Sequence, residues 1–127
     1  MFELTITAEF EAAHYIPNYP GKCSRLHGHN WRIEVTVLGN TLDKLGMLID
    51  FHDLKDEVKK VTAKLDHYYL NEVEPFSSIP PTAENIAKYM YEELSLLPHL
   101  TDRCKLKSVK VWESPTSAVS YSQEASV

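Results

Sequence analysis

Residues 2–14 read Phe2-Glu3-Leu4-Thr5-Ile6-Thr7-Ala8-Glu9-Phe10-Glu11-Ala12-Ala13-His14, and the alternation within them decides the fold. Over 2–13 an extended chain puts Phe2, Leu4, Ile6, Ala8 and Phe10 on one face. That pattern marks a half-buried strand of an antiparallel sheet. The run Phe10-x-Ala12-x-His14 extends it and ends on an imidazole. A second alternating run, Trp31, Ile33, Val35 and Val37, closes at Gly39-Asn40. Between the two, Tyr15–Arg25 holds Pro17, Asn18, Pro20 and Gly21, a cluster that breaks both periodic structures. The two runs are expected to pair as a long hairpin.

Past the hairpin the period changes. Phe51, Leu54, Val58 and Val61 fall at helical spacing, with Asp50 placed to cap the first turn. Thr82 is the expected cap of a second helix with the apolar stripe Ile86, Tyr89, Met90 and Leu94, and Pro98 lies just past its end. Leu106, Val109 and Val111, then Val119 and Tyr121, suggest two closing strands around Glu113-Ser114-Pro115. Strands at both ends and helices between predict an α+β fold, with two helices on one face of an antiparallel sheet.

Composition narrows the function classes. A chain of 127 residues is expected to form a single domain over 1–127. A net charge of −5 and the lack of a Lys/Arg run argue against nucleic acid. No apolar stretch approaches a membrane span, so no membrane partner is expected. The start shows no basic residues followed by an apolar run, so no signal peptide is expected. A cytoplasmic location with Cys23 and Cys104 as free thiols follows as the expectation.

The chemistry concentrates in His14 and in Cys23-Ser-Arg-Leu-His27-Gly28-His29-Asn30. His27 and His29 are two apart, so on a strand they share a face, and Gly28 adds no side chain opposite. The neighbouring strand can deliver His14 beside them. Three neutral imidazoles with a fourth position open make the arrangement of a catalytic Zn2+. Cys23 lies close enough to act as a base on a substrate held there, and a nearby cation favours the thiolate. It could instead be a fourth ligand that closes a structural site. Asp66-His67 is a carboxylate next to an imidazole, the pairing that orients a histidine as acid or base. Adjacent strand residues point apart, so that pairing requires a turn. Otherwise the two are a surface His beside a turn-capping Asp.

Phe10-x-Ala12-Ala13-His14, Cys23-x-x-x-His27-Gly28-His29-Asn30, Leu65-Asp66-His67-x-x-Leu70-Asn71, Pro81-Thr82-x-Glu84-Asn85 and Trp112-Glu113-Ser114-Pro115 occur in one order along nearly the whole chain. Together they resemble the 6-pyruvoyl-tetrahydropterin synthase family. The short Cys-x-x-x-His-Gly-His gap resembles its 6-carboxy-5,6,7,8-tetrahydropterin synthase branch. The resemblance implies a ββααββ tunnelling fold whose sheets close into an oligomeric barrel, a homohexamer with interfacial active sites. It implies 7,8-dihydroneopterin triphosphate as substrate, with acetaldehyde and triphosphate released on a route to queuosine and other deazapurines.

It also implies roles for individual residues. His14, His27 and His29 would hold zinc, and Cys23, Asp66 and His67 would be catalytic. Glu113 would accept the two adjacent N–H donors of the pterin edge, which otherwise is an ordinary strand Glu. Thr82 and Glu84 would lie near the ring at a helix start. Ala83 stands where the family often carries Ser or Thr, which removes one side-chain hydrogen bond. For the triphosphate, Lys22, Arg25, Lys105, Lys107 and Lys110 are the available cations, and spacing does not choose among them. The alternatives are triphosphate elimination to the pyruvoyl product, aldolase-type cleavage, and a zinc-stabilised binding protein without catalysis.

Overall fold

The computed structural model describes residues 1–97 and 103–123. Its elements run β1 (Phe2–His14), β2 (His27–Gly39), α1 (Phe51–Thr62), α2 (Ala83–Leu94), β3 (Cys104–Ser114) and β4 (Ser117–Tyr121). This is the ββααββ order of the tunnelling fold. The strands form one antiparallel sheet in the order β1-β2-β3-β4.

The hairpin expected from the alternation is complete: β1 and β2 pair from Phe2↔Gly39 through to His14↔His27. Ile6, Phe10, Ile33, Val35 and Val37 meet on one face and are buried, and Val109 and Val111 continue that face across β3. Both helices cover it. Leu54, Val58 and Val61 of α1 and Ile86, Met90 and Leu94 of α2 are buried there. Phe2 and Phe51, which belong to the same apolar patterns, are exposed instead, because each occupies the first position of its element, beyond the covering layer.

The expected caps are present. Asp50 accepts the His52 amide at 2.7 Å, and Thr82 Oγ1 accepts the Asn85 amide at 3.1 Å. Each bond satisfies one of the orphan donors of a helix start. Pro98 lies outside the described residues. The uneven spacing of Leu106, Val109 and Val111 has a physical origin. The β2–β3 register shifts between Thr36 and Val37, leaving Lys107 as an extra residue in β3. Such a bulge lets a gap of three residues keep its apolar side chains on one face.

Gly39, where β2 ends, is required by close approach. A Cβ there would collide with the Leu48 side chain and lie 2.6 Å from the Arg103 carbonyl oxygen.

Candidate active site

His14 is the last residue of β1 and stands opposite His27, the first of β2, while His29 pairs with Ala12. Strand alternation puts all three imidazoles on the helix-facing side, at the end where the apolar core stops. The ring centroids lie 4.5 Å (His14–His27), 5.0 Å (His14–His29) and 4.7 Å (His27–His29) apart. Trp31 forms the floor, fully buried, edge-on to His14 and His29, with its indole N–H donated to the Ala12 carbonyl at 3.3 Å.

The hydrogen bonds around the rings define what this cluster wants. His14 Nδ1 lies 2.7 Å from the Pro81 carbonyl and His27 Nδ1 2.7 Å from the Arg25 carbonyl. A carbonyl only accepts, so each Nδ1 carries the proton and each Nε2 presents a lone pair. Those two Nε2 atoms face one another at 3.0 Å. The buried His29 Nε2 has no hydrogen-bond partner. One ligand atom from each of the three residues falls within 4.8 Å of the others. Two lone pairs facing one another, with a nitrogen of the neutral His29 ring beside them, fit a cation, and backbone carbonyls on the far nitrogens of His14 and His27 are the usual outer support of metal-bound imidazoles. Burial holds the His14 and His29 imidazoles below their ordinary protonation range; the Glu113 carboxylate pulls the other way on both. Neutral rings are the form a metal needs.

Cys23 lies outside this group of converging atoms, so among the described residues the cluster is three imidazoles, without a closing thiolate. The thiol is half-buried in a one-turn 3₁₀ helix, Lys22–Ser24, and its carbonyl accepts the Ile16 amide at 2.7 Å. That bond ties the cysteine turn to the segment just after His14.

Asp66 and His67 do pair side by side, His67 Nδ1 to Asp66 Oδ1 at 2.9 Å. The turn that this requires is supplied by His67 itself, whose φ of 64° places it in the left-handed region. Asp66 Oδ1 also accepts the Glu11 amide at 3.0 Å, and that bond, above the nearby His67, holds the carboxyl below its usual range. Glu11 Oε2 stands 3.4 Å from His67 Nε2, so the ring lies between two carboxylates. Within one chain no hydrogen bond joins this pair to Cys23 among the described residues.

Glu113 Oε1 stands 3.5 Å from His29 Nε2, on the same face of the sheet. A cleft of about 490 Å³ lined by His29, Asn30, Trp112, Glu113 and Ser114 opens beside it. A second, of about 570 Å³, is lined by Ala13, His29, His67 and Tyr69. His29 borders both. Thr82 spends its hydroxyl on capping α2, Glu84 is exposed on the first turn, and Ala83 is buried. Lys107 is committed to Glu3 at 3.0 Å and Lys110 to the Trp112 ring at 4.8 Å, whereas Lys22 and Arg25 occupy the exposed loop beside the histidines. Lys105 is exposed on β3. An added Cβ at Gly28 would meet nothing within 4 Å, so packing inside one chain does not demand glycine there.

Sequence reasoning missed Pro81, Glu11 and Asn71. Pro80-Pro81 ahead of a helix cap was the available sign for Pro81: a rigid arm whose carbonyls lie outside the helix, one of them on His14 and the other held by Asn85 Nδ2 at 2.9 Å.

Fold and site together describe an α+β chain whose polar centre gathers where the first hairpin meets the start of the second helix, an arrangement found in pterin-forming synthases. The family model described as 6-pyruvoyl tetrahydropterin synthase matches residues 3–124, and the chain belongs to that family. It is an enzyme of that family, similar at 39% identity to the 6-carboxy-5,6,7,8-tetrahydropterin synthase of Bacillus subtilis, over 94% of this chain and 84% of the relative. The enzyme of the same name from Haemophilus influenzae is 32% identical over 97% of this chain and all of its own length (100%). Among solved structures, the 6-pyruvoyl tetrahydropterin synthase of Caenorhabditis elegans superposes with a TM-score of 0.85 at 30% identity, covering 97% of this chain and 96% of that one.

Proposed function

We propose that this chain, acting as one synthase domain over 1–127, converts 7,8-dihydroneopterin triphosphate into 6-carboxy-5,6,7,8-tetrahydropterin. Acetaldehyde and triphosphate leave, and the product feeds queuosine and related deazapurine synthesis. The observation that carries the reading is the convergence of the His14, His27 and His29 nitrogens, with His14 and His27 turning unprotonated Nε2 atoms toward one another. Zn2+ is the ion an all-imidazole, open-sided set favours. When bound it supplies Lewis-acid polarisation of substrate hydroxyls.

The chain's own residues do the rest. Cys23 removes a side-chain proton as thiolate, and His67, oriented by Asp66, exchanges protons with the substrate oxygens. Glu113 accepts the paired ring N–H groups in the cleft beside His29, with Thr82 and Glu84 at the α2 start bordering the ring. Arg25 and Lys22 are the cations best placed for the triphosphate. Among the described residues no hydrogen bond joins Cys23 to the Asp66–His67 pair within one chain, and a homo-oligomer, a hexamer with sites between subunits, would bring them together; the chain would act in the cytoplasm.

The carboxy product is favoured by the relatives of that name and by the short gap between Cys23 and His27. A Drosophila melanogaster relative named 6-pyruvoyl tetrahydrobiopterin synthase is 37% identical over 80% of this chain, which keeps the pyruvoyl product as the second reading. Incubation of zinc-loaded protein with dihydroneopterin triphosphate separates them. Release of acetaldehyde is expected; a product that keeps all its side-chain carbons would overturn the carboxy assignment.

A further inference from the structure

The free edge of β1 is closed at its metal-site end by residues 66–71, through backbone bonds in the middle and side-chain bonds at either end. Asp66 accepts the Glu11 amide through its side chain at 3.0 Å, and the His67 amide donates to the Glu11 carbonyl at 2.5 Å. The Ala13 amide donates to the Tyr68 carbonyl at 3.3 Å. The last rung is Asn71: its Oδ1 accepts the Tyr15 amide at 3.0 Å, and its Nδ2 donates to the Tyr15 carbonyl at 3.1 Å.

Tyr15 is the residue where support would otherwise fail. Tyr15 lies one residue past the last β1–β2 pair, His14↔His27, and its backbone groups face the free edge of β1, where no strand of the sheet runs alongside. Strand ends without such partners fray. Both backbone groups of Tyr15 go instead to one side chain, and that side chain is itself anchored, because Asn71 follows the fully buried Leu70 in the short 3₁₀ turn Leu70–Glu72. His14 precedes this fixed point, and Ile16, which follows it, holds the Cys23 carbonyl. The Asp66–His67 turn lies a few residues upstream of Asn71 in the same zipped segment.

We propose that Asn71 is a positioning residue: its side-chain amide stands in for the missing strand partner of Tyr15 and so fixes His14, the Cys23 turn and the Asp66–His67 turn relative to one another. This rests on the reading of His14 as a metal ligand and Cys23 as the working thiol. An asparagine that merely satisfied a loop would affect stability alone. A positioning asparagine also sets metal affinity and thiol environment.

The test compares zinc-loaded wild type with Asn71→Ala, Asn71→Asp and Thr5→Val. Thr5 bonds Thr36 through its hydroxyl at 3.0 Å, so the last variant removes a side-chain hydrogen bond remote from the site. Zinc affinity is read by competition with a chromophoric chelator, and Cys23 by its rate with a disulfide reagent, Cys104 being buried. In Asn71→Ala, zinc affinity should fall roughly 10–100-fold, the scale on which outer supports of a metal ligand act, and the Cys23 rate should change. In Thr5→Val neither should move. Asn71→Asp keeps the acceptor for the Tyr15 amide but turns an anion toward its carbonyl. It should lose affinity too, and it carries the test if Asn71→Ala does not fold. Wild-type zinc affinity and thiol rate in a folded Asn71 variant would overturn the proposal, as would an equal loss in Thr5→Val. Wild type that binds zinc without forming a pterin product would overturn the proposed reaction and leave Asn71 its role.

Discussion

His14 Nε2 faces His27 Nε2 at 3.0 Å while the second nitrogen of each ring donates to a backbone carbonyl, Pro81 for one and Arg25 for the other. Two lone pairs at that separation repel unless a cation lies between them, one ring protonates to an imidazolium, or one ring gives up its carbonyl bond by switching tautomer. The consequences can be measured.

Removing one imidazole leaves two ligands, too few for an open tetrahedral site. His27→Ala should bind less than a tenth of the wild-type zinc after dialysis, and activity should fall in parallel. Elemental analysis of the purified variant decides this, and full occupancy would remove His27 from the site.

Acid should weaken the metal-free protein in a defined direction. Burial, the largest cause for both His14 and His29, lowers their protonation range in the fold below the ordinary imidazole value of about 6.5. Between those two limits the unfolded chain binds more protons, so stability rises with pH there. The melting temperature of metal-free protein should therefore be flat above about pH 6.5 and fall as pH drops to 5.5. A midpoint that climbs over the same fall in pH would contradict neutral rings.

Cys23 belongs to chemistry rather than to metal retention. Because the thiol is outside the converging nitrogens, Cys23→Ala should keep a full complement of zinc. Turnover should drop by roughly two to four orders of magnitude, the usual effect of losing a positioned base. Loss of zinc in this variant would return the thiolate to the ligand set.

Glu113 tests the substrate independently. In Glu113→Gln one acceptor oxygen becomes an amide NH₂, so a ring N–H loses its partner. Breaking a buried charge-assisted pair costs about 2–5 kcal/mol, which corresponds to substrate binding weakened roughly 30-fold or more. Zinc content at saturation should be unchanged. Calorimetric titration with substrate separates the outcomes, and unaltered affinity would remove the pterin anchor.

Gly39→Ala probes the fold. The new methyl would meet Leu48, whose side chain can move, and the Arg103 carbonyl, which is backbone and cannot move cheaply. A destabilisation of about 1–3 kcal/mol is expected by denaturant titration, the usual effect of overpacking.

What could be read from the chain follows period. The alternation over Phe2–Phe10 and Trp31–Val37, the helical stripes and the caps at Asp50 and Thr82 all depend on local spacing, and the structure keeps them. The His27-x-His29 pair was legible for the same reason. The rest depends on contacts between distant residues, which leave no periodic trace. Nothing near Asn71 signals a bond to Tyr15, 56 residues away. The Asp66–His67 contact needs a positive φ that a histidine seldom adopts, and the chain carries no glycine there to announce it. The Lys107 bulge did leave a mark, a step of three positions from Leu106 to Val109 where strict alternation wants two, but its meaning is visible only beside β2.

The half-zipped border of β1 has one more consequence. At Glu11 and Tyr15 both outward-pointing backbone groups, and at Ala13 the amide, are spoken for by residues 66–71. By strand alternation the corresponding groups of Glu3, Thr5, Thr7 and Glu9 point the same way, and none has a backbone partner among the described residues. A foreign strand laid along this border would find a short docking strip and then a built-in doorstop at Glu11. The strip therefore works as a ruler. It limits how far any added strand can advance, and keeps it short of the three imidazoles.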